Sequence, residues 1–128
     1  MKSLALLLCC IALASAPTIA QDFAVGTSPA VAAKLSLRGD PYGVVVNELR
    51  IIRKNETLVV QADFMNTNTA DRMVFYRFKW IDGTGNQVGD GESWKQVTLL
   101  GRQVQTIKSV APLSAASDFR IEMNVELK

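Results

Sequence analysis

The loop from Asp82 to Glu92 carries the side chains in this chain that are best suited to chemistry. Its aspartate, asparagine and glutamate oxygens are the kind of ligand that a hard cation such as Ca²⁺ prefers. An EF-hand loop requires a glycine at its sixth position and a glutamate at its twelfth. Counted from Asp82, these positions hold Gln87 and Ser93. The sequence therefore favours a glycine-rich connection that forms turns, with no metal bound, over a calcium site.

Two pairs of residues in or next to this loop are of types used in catalysis. Asp90 and Glu92 could act as paired carboxylates in glycoside hydrolysis, and Lys95 with a lowered pKa could activate Ser93 as a nucleophile. A solvated surface loop explains both pairs, because a lysine pKa falls only when the side chain is buried. The chain contains no histidine, which excludes triads built on that residue. We expect no catalytic residues and no cofactor, and a protein that is not an enzyme.

The candidate binding residues are Arg77, Lys79 and Trp94. Arg77 and Lys79 would form a basic strip on the outer face of a sheet, suited to an anionic glycan or a lipid headgroup. Strand alternation alone also explains them as a solvent face. Exposed aromatics often anchor partners or sugar rings, whereas a Trp94 that caps the end of the fold by burial is the favoured interpretation. With 14 basic and 12 acidic residues, the chain has no basic field for nucleic acid.

Short β-strands must position these side chains, because apolar residues recur with the period of two that is typical of a half-buried strand. The alternation is clearest in Asp118–Leu127 and in Arg72–Asp82, and in the second segment it places Arg77 and Lys79 opposite an apolar row. The other predicted strands are Val44–Arg53, Leu58–Met65, Trp94–Leu100 and Gln103–Val110.

Turn signals about 8–12 residues apart separate these segments, a spacing typical of an all-β domain. We therefore predict an all-β fold, an antiparallel immunoglobulin-like β-sandwich of about six or seven strands. A small closed barrel is the main alternative. No helix is required anywhere after Ala20.

Residues 1–20 have the pattern of a cleaved signal peptide. Lys2 provides a positive start, Leu4 to Leu13 are apolar, and small residues precede Gln21. We expect an exported periplasmic protein in which residues 21–43 are a tail or a loose first strand and residues 44–128 are the β-sandwich domain. No transmembrane span is expected, because the apolar run is shorter than the roughly 20 residues that cross a bilayer.

Both cysteines, Cys9 and Cys10, lie in this leader, so cleavage near Ala20 leaves no thiol in the mature protein. The alternative is that one of them is lipidated and anchors the protein in the outer membrane. Lipid attachment requires a small residue directly before the cysteine. Leu8 precedes Cys9, and Cys9 precedes Cys10, so the sequence favours cleavage without a lipid.

The run from Tyr76 to Asp82, followed by Gly85, is similar to the central strand and turn of the YcfL-like family of bacterial envelope proteins, whose function is unknown. The similarity continues through Gln96–Leu99, Val104–Ser109 and Phe119–Ile121, and covers residues 44–128. The resemblance implies a small periplasmic sandwich domain and supplies no catalytic residues. Members typically carry a lipid-attachment cysteine, a feature that this leader does not reproduce.

Together these features predict a non-enzymatic interaction or accessory module of the bacterial cell envelope. It would bind another envelope protein through a strand edge or through the sheet face that bears Arg77 and Lys79, since edge pairing needs no special side chains. The alternative function is a cell-wall glycan-binding or weakly hydrolytic domain that uses Trp94 and the acidic loop from Asp82 to Glu92.

Overall fold

The computed structural model describes residues 27–128. The predicted signal peptide and both cysteines lie outside the described residues. Within residues 27–128 there are one short helix and seven strands. They are α1 (Pro29–Ala32), β1 (Leu35–Arg38), β2 (Val44–Lys54), β3 (Thr57–Asn66), β4 (Arg72–Ile81), β5 (Lys95–Leu99), β6 (Val104–Val110) and β7 (Asp118–Leu127).

The strands form two sheets that pack face to face. One sheet has four strands in the order β1-β7-β4-β5, and the other has three in the order β2-β3-β6. All neighbouring strands pair antiparallel except β1, which pairs parallel with β7. The predicted all-β sandwich is confirmed. Four strands facing three is the division of an immunoglobulin constant domain, although the strand order here is different.

The core is formed by the inward rows that the alternation predicts. The four-stranded sheet contributes Val74, Tyr76, Phe78, Trp80, Phe119, Ile121, Met123 and Val125. Leu58, Val60, Ala62 and Phe64 of β3 face them from the other sheet. The predicted inward row of the last strand ends at Val125, since Leu127 is 60% exposed.

The segment before Val44 contains two elements that periodicity does not reveal. α1 begins after Ser28, whose hydroxyl accepts a hydrogen bond of 3.3 Å from the Val31 amide, and Pro29 occupies its first turn. Both are typical helix-start residues. The expectation that no helix follows the leader is wrong for these four residues. Next along the chain, β1 forms a strand of four residues, Leu35–Arg38.

β1 lengthens the four-stranded sheet beyond β7. Its register runs from Leu35 opposite Ile121 to Arg38 opposite Asn124. This pairing places the Arg38 side chain on the outer face of the sheet, beside residues of β4 and β7. No helix among residues 27–128 is long and apolar enough to cross a bilayer.

Candidate binding site on the outer sheet face

Four segments bring an exposed tryptophan together with two arginines and a glutamate. Arg77 of β4 lies directly opposite Glu122 of β7. β5 begins at Lys95, which pairs with Tyr76, so Trp94 lies beside Arg77. Arg38 belongs to β1, which pairs with β7 on the side opposite to β4. We call Arg38, Arg77, Trp94 and Glu122 the tryptophan–arginine cluster.

The geometry of this cluster fixes the indole ring in place. The guanidinium carbons of Arg77 and Arg38 lie 4.4 and 5.4 Å from the centroid of the Trp94 ring, within the range of cation–π attraction. The Oε2 atom of Glu122 accepts hydrogen bonds of 3.1 Å from Nε of Arg77 and 3.2 Å from an Arg38 guanidinium nitrogen. One carboxylate thus orients both arginines that contact the ring.

Trp94 remains 39% exposed in this arrangement. It lies on the outer face of the four-stranded sheet and not against the core. The favoured interpretation, in which Trp94 caps the end of the sandwich by burial, is therefore wrong. The exposed position of the ring agrees with the other interpretation, and a binding role for Trp94 stays a prediction.

A groove of about 430 Å³ opens beside the tryptophan–arginine cluster. Its lining residues are Arg38, Phe75, Trp94, Asn124 and Glu126. Asn124 lies between Arg38 and Phe75 in one row across the sheet, because it pairs with both. Of these residues only Trp94 was a predicted site residue. The contribution of Arg38 depends on the parallel pairing of β1, which the sequence does not show.

The predicted basic strip lies on the same face, on the other side of Trp94 from the groove. Lys79 is exposed and pairs across the strands with Arg120 of β7. Arg77 also points outward, but it is held by Glu122 at 3.0 Å and contacts Trp94. The structure therefore brings Arg77 and Trp94 into contact and places Lys79 beside the loop residues Asp90 and Glu92, with which it lines a small pocket.

Asp118 anchors the far end of this strip. Burial acts to raise the pKa of its carboxyl group, but hydrogen bonds from Lys34, the Phe119 amide and Arg120 outweigh burial and lower the pKa to about 2. The Lys34 ammonium lies 2.7 Å from one carboxylate oxygen, and Arg120 lies 3.1 Å from the other. Asp118 thus tethers the chain just before β1 to the start of β7.

Glu92, a candidate acid or base, is built into the fold. Its carboxylate accepts hydrogen bonds from the Phe78 amide at 3.1 Å, from Nε1 of Trp80 at 3.1 Å and from the Ser109 hydroxyl at 2.7 Å. Burial acts to raise the pKa of Glu92, but these hydrogen bonds and the charge of Lys95 outweigh it and lower the pKa. Glu92 is therefore engaged in joining the two sheets.

The other candidates around this loop also make local contacts. Oδ1 of Asp82 accepts hydrogen bonds from the amide and hydroxyl of Thr84 and from the Asn86 amide, at 2.7 to 3.0 Å. These bonds lower the pKa of Asp82, with the Thr84 hydroxyl contributing most. Lys95 is 47% exposed and lies 3.7 Å from Glu92. Among residues 27–128, no three acidic, histidine or cysteine side chains are grouped to hold a metal ion.

Comparison with known proteins identifies relatives but no activity. The family model described as a protein of unknown function, DUF1425, matches residues 40–125. The crystal structure of Campylobacter jejuni cj0090 shares the fold at 19% identity, with a TM-score of 0.60 over 73% of this chain and 98% of that one. A DUF1425 family member from Shewanella sp. pv-4 is 26% identical, with a TM-score of 0.56 over 66% of this chain and 78% of that one. No match is found among the curated proteins.

Proposed function

This chain belongs to DUF1425, a family of proteins of unknown function, and we propose that it is a non-enzymatic interaction module of the bacterial cell envelope. In this proposal the protein is exported to the periplasm and binds another envelope protein. The signal-like pattern of residues 1–20 and the resemblance of residues 44–128 to the YcfL-like envelope proteins support that location.

The tryptophan–arginine cluster is the observation that carries the proposal. Tryptophan and arginine are among the residue types most enriched at the energetic centres of protein interfaces. The ring of Trp94 and the guanidinium of Arg77 already hold each other, and Glu122 fixes the arginine. Because these side chains are already ordered, they would lose little conformational entropy when a partner binds, and this favours affinity.

The sheet face is a better candidate for the interface than a strand edge. Of the four edge strands β1, β2, β5 and β6, the last three each carry an exposed lysine, at Lys54, Lys95 and Lys108. Exposed lysines on edge strands are a common way to prevent strand addition. The face, in contrast, presents Trp94 near the exposed Lys79, which lines a small pocket together with Asp90 and Glu92. A partner that offers an apolar contact flanked by groups of both charge signs would match it.

Site-specific photo-crosslinking in the native host tests this proposal. A photoreactive residue at position Lys79 of the full chain is expected to give one adduct of defined mass. The matched control places the same residue at Lys108, which is exposed on the outer face of the three-stranded sheet. The adduct at position 79 is expected to disappear when Trp94→Ala is added. No adduct at position 79, or the same adduct at position 108, would contradict the proposal.

The location is tested separately by fractionation and intact mass. A protein cleaved after Ala20 is expected in the periplasmic fraction, with the intact mass of a chain that begins at Gln21. Retention in the outer membrane with the mass of an acylated Cys9 or Cys10 would instead establish the lipid-anchored alternative. Recovery of the uncleaved chain from the cytoplasm would contradict export.

A further inference from the structure

The groove beside Trp94 differs in chemistry from the Lys79 end of the same face. It lies on the opposite side of Trp94 from Lys79 and is lined by two aromatic rings, an amide, one cation and one anion. We infer that this groove is a second binding site, which takes pyranose units of an uncharged polysaccharide chain. This site goes beyond the proposed protein contact, because neither Phe75, Asn124 nor Glu126 belongs to that contact.

The size and walls of the groove suit a sugar ring. Its volume of about 430 Å³ falls in the range of roughly 300–1,000 Å³ that is usual for small-molecule sites. Trp94 and Phe75 provide the apolar surface, and a pyranose presents apolar C–H faces that can lie against an aromatic ring. Because the groove lies open on the sheet surface, the sugars on either side of a bound unit can extend into solvent.

The polar groups of the groove are available for a ligand. Within residues 27–128, the amide of Asn124 and the carboxylate of Glu126 make no side-chain hydrogen bond, and Arg38 uses one guanidinium nitrogen on Glu122. An amide both donates and accepts, a carboxylate accepts, and a guanidinium donates. Sugar hydroxyls also donate and accept, so neighbouring hydroxyls can satisfy this mixed set.

The charges of the groove favour an uncharged ligand over an anion. Arg38 contributes one positive charge and Glu126 one negative charge. An anionic ligand would approach Glu126 at a cost, since like charges repel. Arg38 is moreover partly neutralised, because its guanidinium lies 3.2 Å from Glu122. A polyhydroxylated neutral chain contacts both groups without that cost.

Tryptophan fluorescence provides a direct readout of this site. The chain has two tryptophans, and Trp80 is 2% exposed whereas Trp94 is 39% exposed. Acrylamide quenching of the free protein therefore reports mainly on Trp94. We expect at least one of three neutral probes, chitotetraose, cellotetraose or maltotetraose, to protect Trp94 from acrylamide in a saturable way.

Variants connect the protection to the groove. Asn124→Ala and Glu126→Ala each remove one hydrogen-bonding group and are expected to weaken sugar binding about tenfold. Lys108→Ala, on the outer face of the other sheet, is the control and is expected to leave the affinity unchanged. Trp94→Ala, followed by NMR titration because its fluorescence is lost, is expected to abolish binding, with circular dichroism verifying the fold.

Three outcomes would overturn the inference. They are protection by none of the neutral tetrasaccharides, protection that is unchanged in the Asn124 and Glu126 variants, and protection by tetragalacturonate or by an uncharged tetrapeptide in place of the sugars. The Lys79 crosslink is measured independently, so loss of either the protein contact or the sugar contact identifies which of the two proposals has failed.

Discussion

The hydroxyl of Ser109 donates a hydrogen bond of 2.7 Å to the carboxylate of Glu92, and this bond joins the two sheets. This hydrogen bond lies near the end of the pairing between β4 and β5, whose last pair is Tyr76 with Lys95. Beyond that point the amide of Phe78 has no strand to bind, and Glu92 accepts its hydrogen bond. A side chain thus replaces a missing stretch of edge strand and connects it to β6.

Replacing this carboxylate is expected to cost stability. Glu92→Gln keeps the shape but removes the charge that strengthens three hydrogen bonds, so the free energy of unfolding should fall by about 1–3 kcal/mol. Urea denaturation measures the change. Glu126→Gln is the matched control, because this exposed carboxylate supports no part of the fold, and it should change stability by less than about 0.5 kcal/mol. Equal stability of the two variants would show that Glu92 does not join the sheets.

Acid should destabilise the protein through Asp118. Its pKa is lowered from 3.8 to about 2 in the folded state, so its contribution is fully present above pH 3.8 and is lost as the pH falls through the folded pKa. The difference in melting temperature between the wild type and Asp118→Asn should therefore be largest near neutral pH and shrink between about pH 4 and pH 2. A difference that stays constant down to pH 2 would contradict the assignment.

Gly101 is required by the close approach of another segment. A Cβ atom at this position would be placed against the backbone carbonyl of Thr69, which cannot move as a flexible side chain can. We expect Gly101→Ala to lower the free energy of unfolding by about 2 kcal/mol or more. Gly83→Ala is the control, since the nearest atom to its added Cβ is the Ser117 hydroxyl at 3.9 Å. Thermal melts of both variants make the comparison.

The turn between β2 and β3 offers a stabilising substitution. Asn55 and Glu56 have φ angles of 51° and 64°, the left-handed conformation that a two-residue hairpin turn demands. Asparagine tolerates this conformation, whereas glutamate is strained in it. Glu56→Gly should raise the free energy of unfolding by about 0.5–1 kcal/mol. Glu56→Ala keeps the Cβ atom and should give no gain, so an equal gain from both variants would point to a cause other than strain.

Strand alternation predicted the sandwich because the long strands bury one face. β4 and β7 each have ten residues, enough for the period of two to be unmistakable, and Arg77 and Lys79 were placed on the correct face. Trp94 could also have been placed. It is in phase with Gln96 and opposite to the inward residues of β5, so the same alternation puts it outside.

The remaining parts of the site depend on contacts between distant segments. α1 and β1 have four residues each, too few for a periodic signal, and β1 finds its partner in a strand that begins 80 residues later. Without that pairing the sequence gives no reason to place Arg38 near Trp94. Glu92 was expected to be a solvated loop residue, because no local pattern shows that Ser109 of the opposite sheet lies within reach.

The parallel pairing of β1 with β7 also determines how this domain responds to force. A pull that separates the start of β1 from the end of β7 acts along both strands in opposite directions, so the bonds between Leu35–Arg38 and Ile121–Asn124 are loaded together in shear. An antiparallel hairpin pulled at its open end would instead unzip one bond at a time. The backbone bonds of this four-residue strand would therefore share such a load and break together, not in sequence.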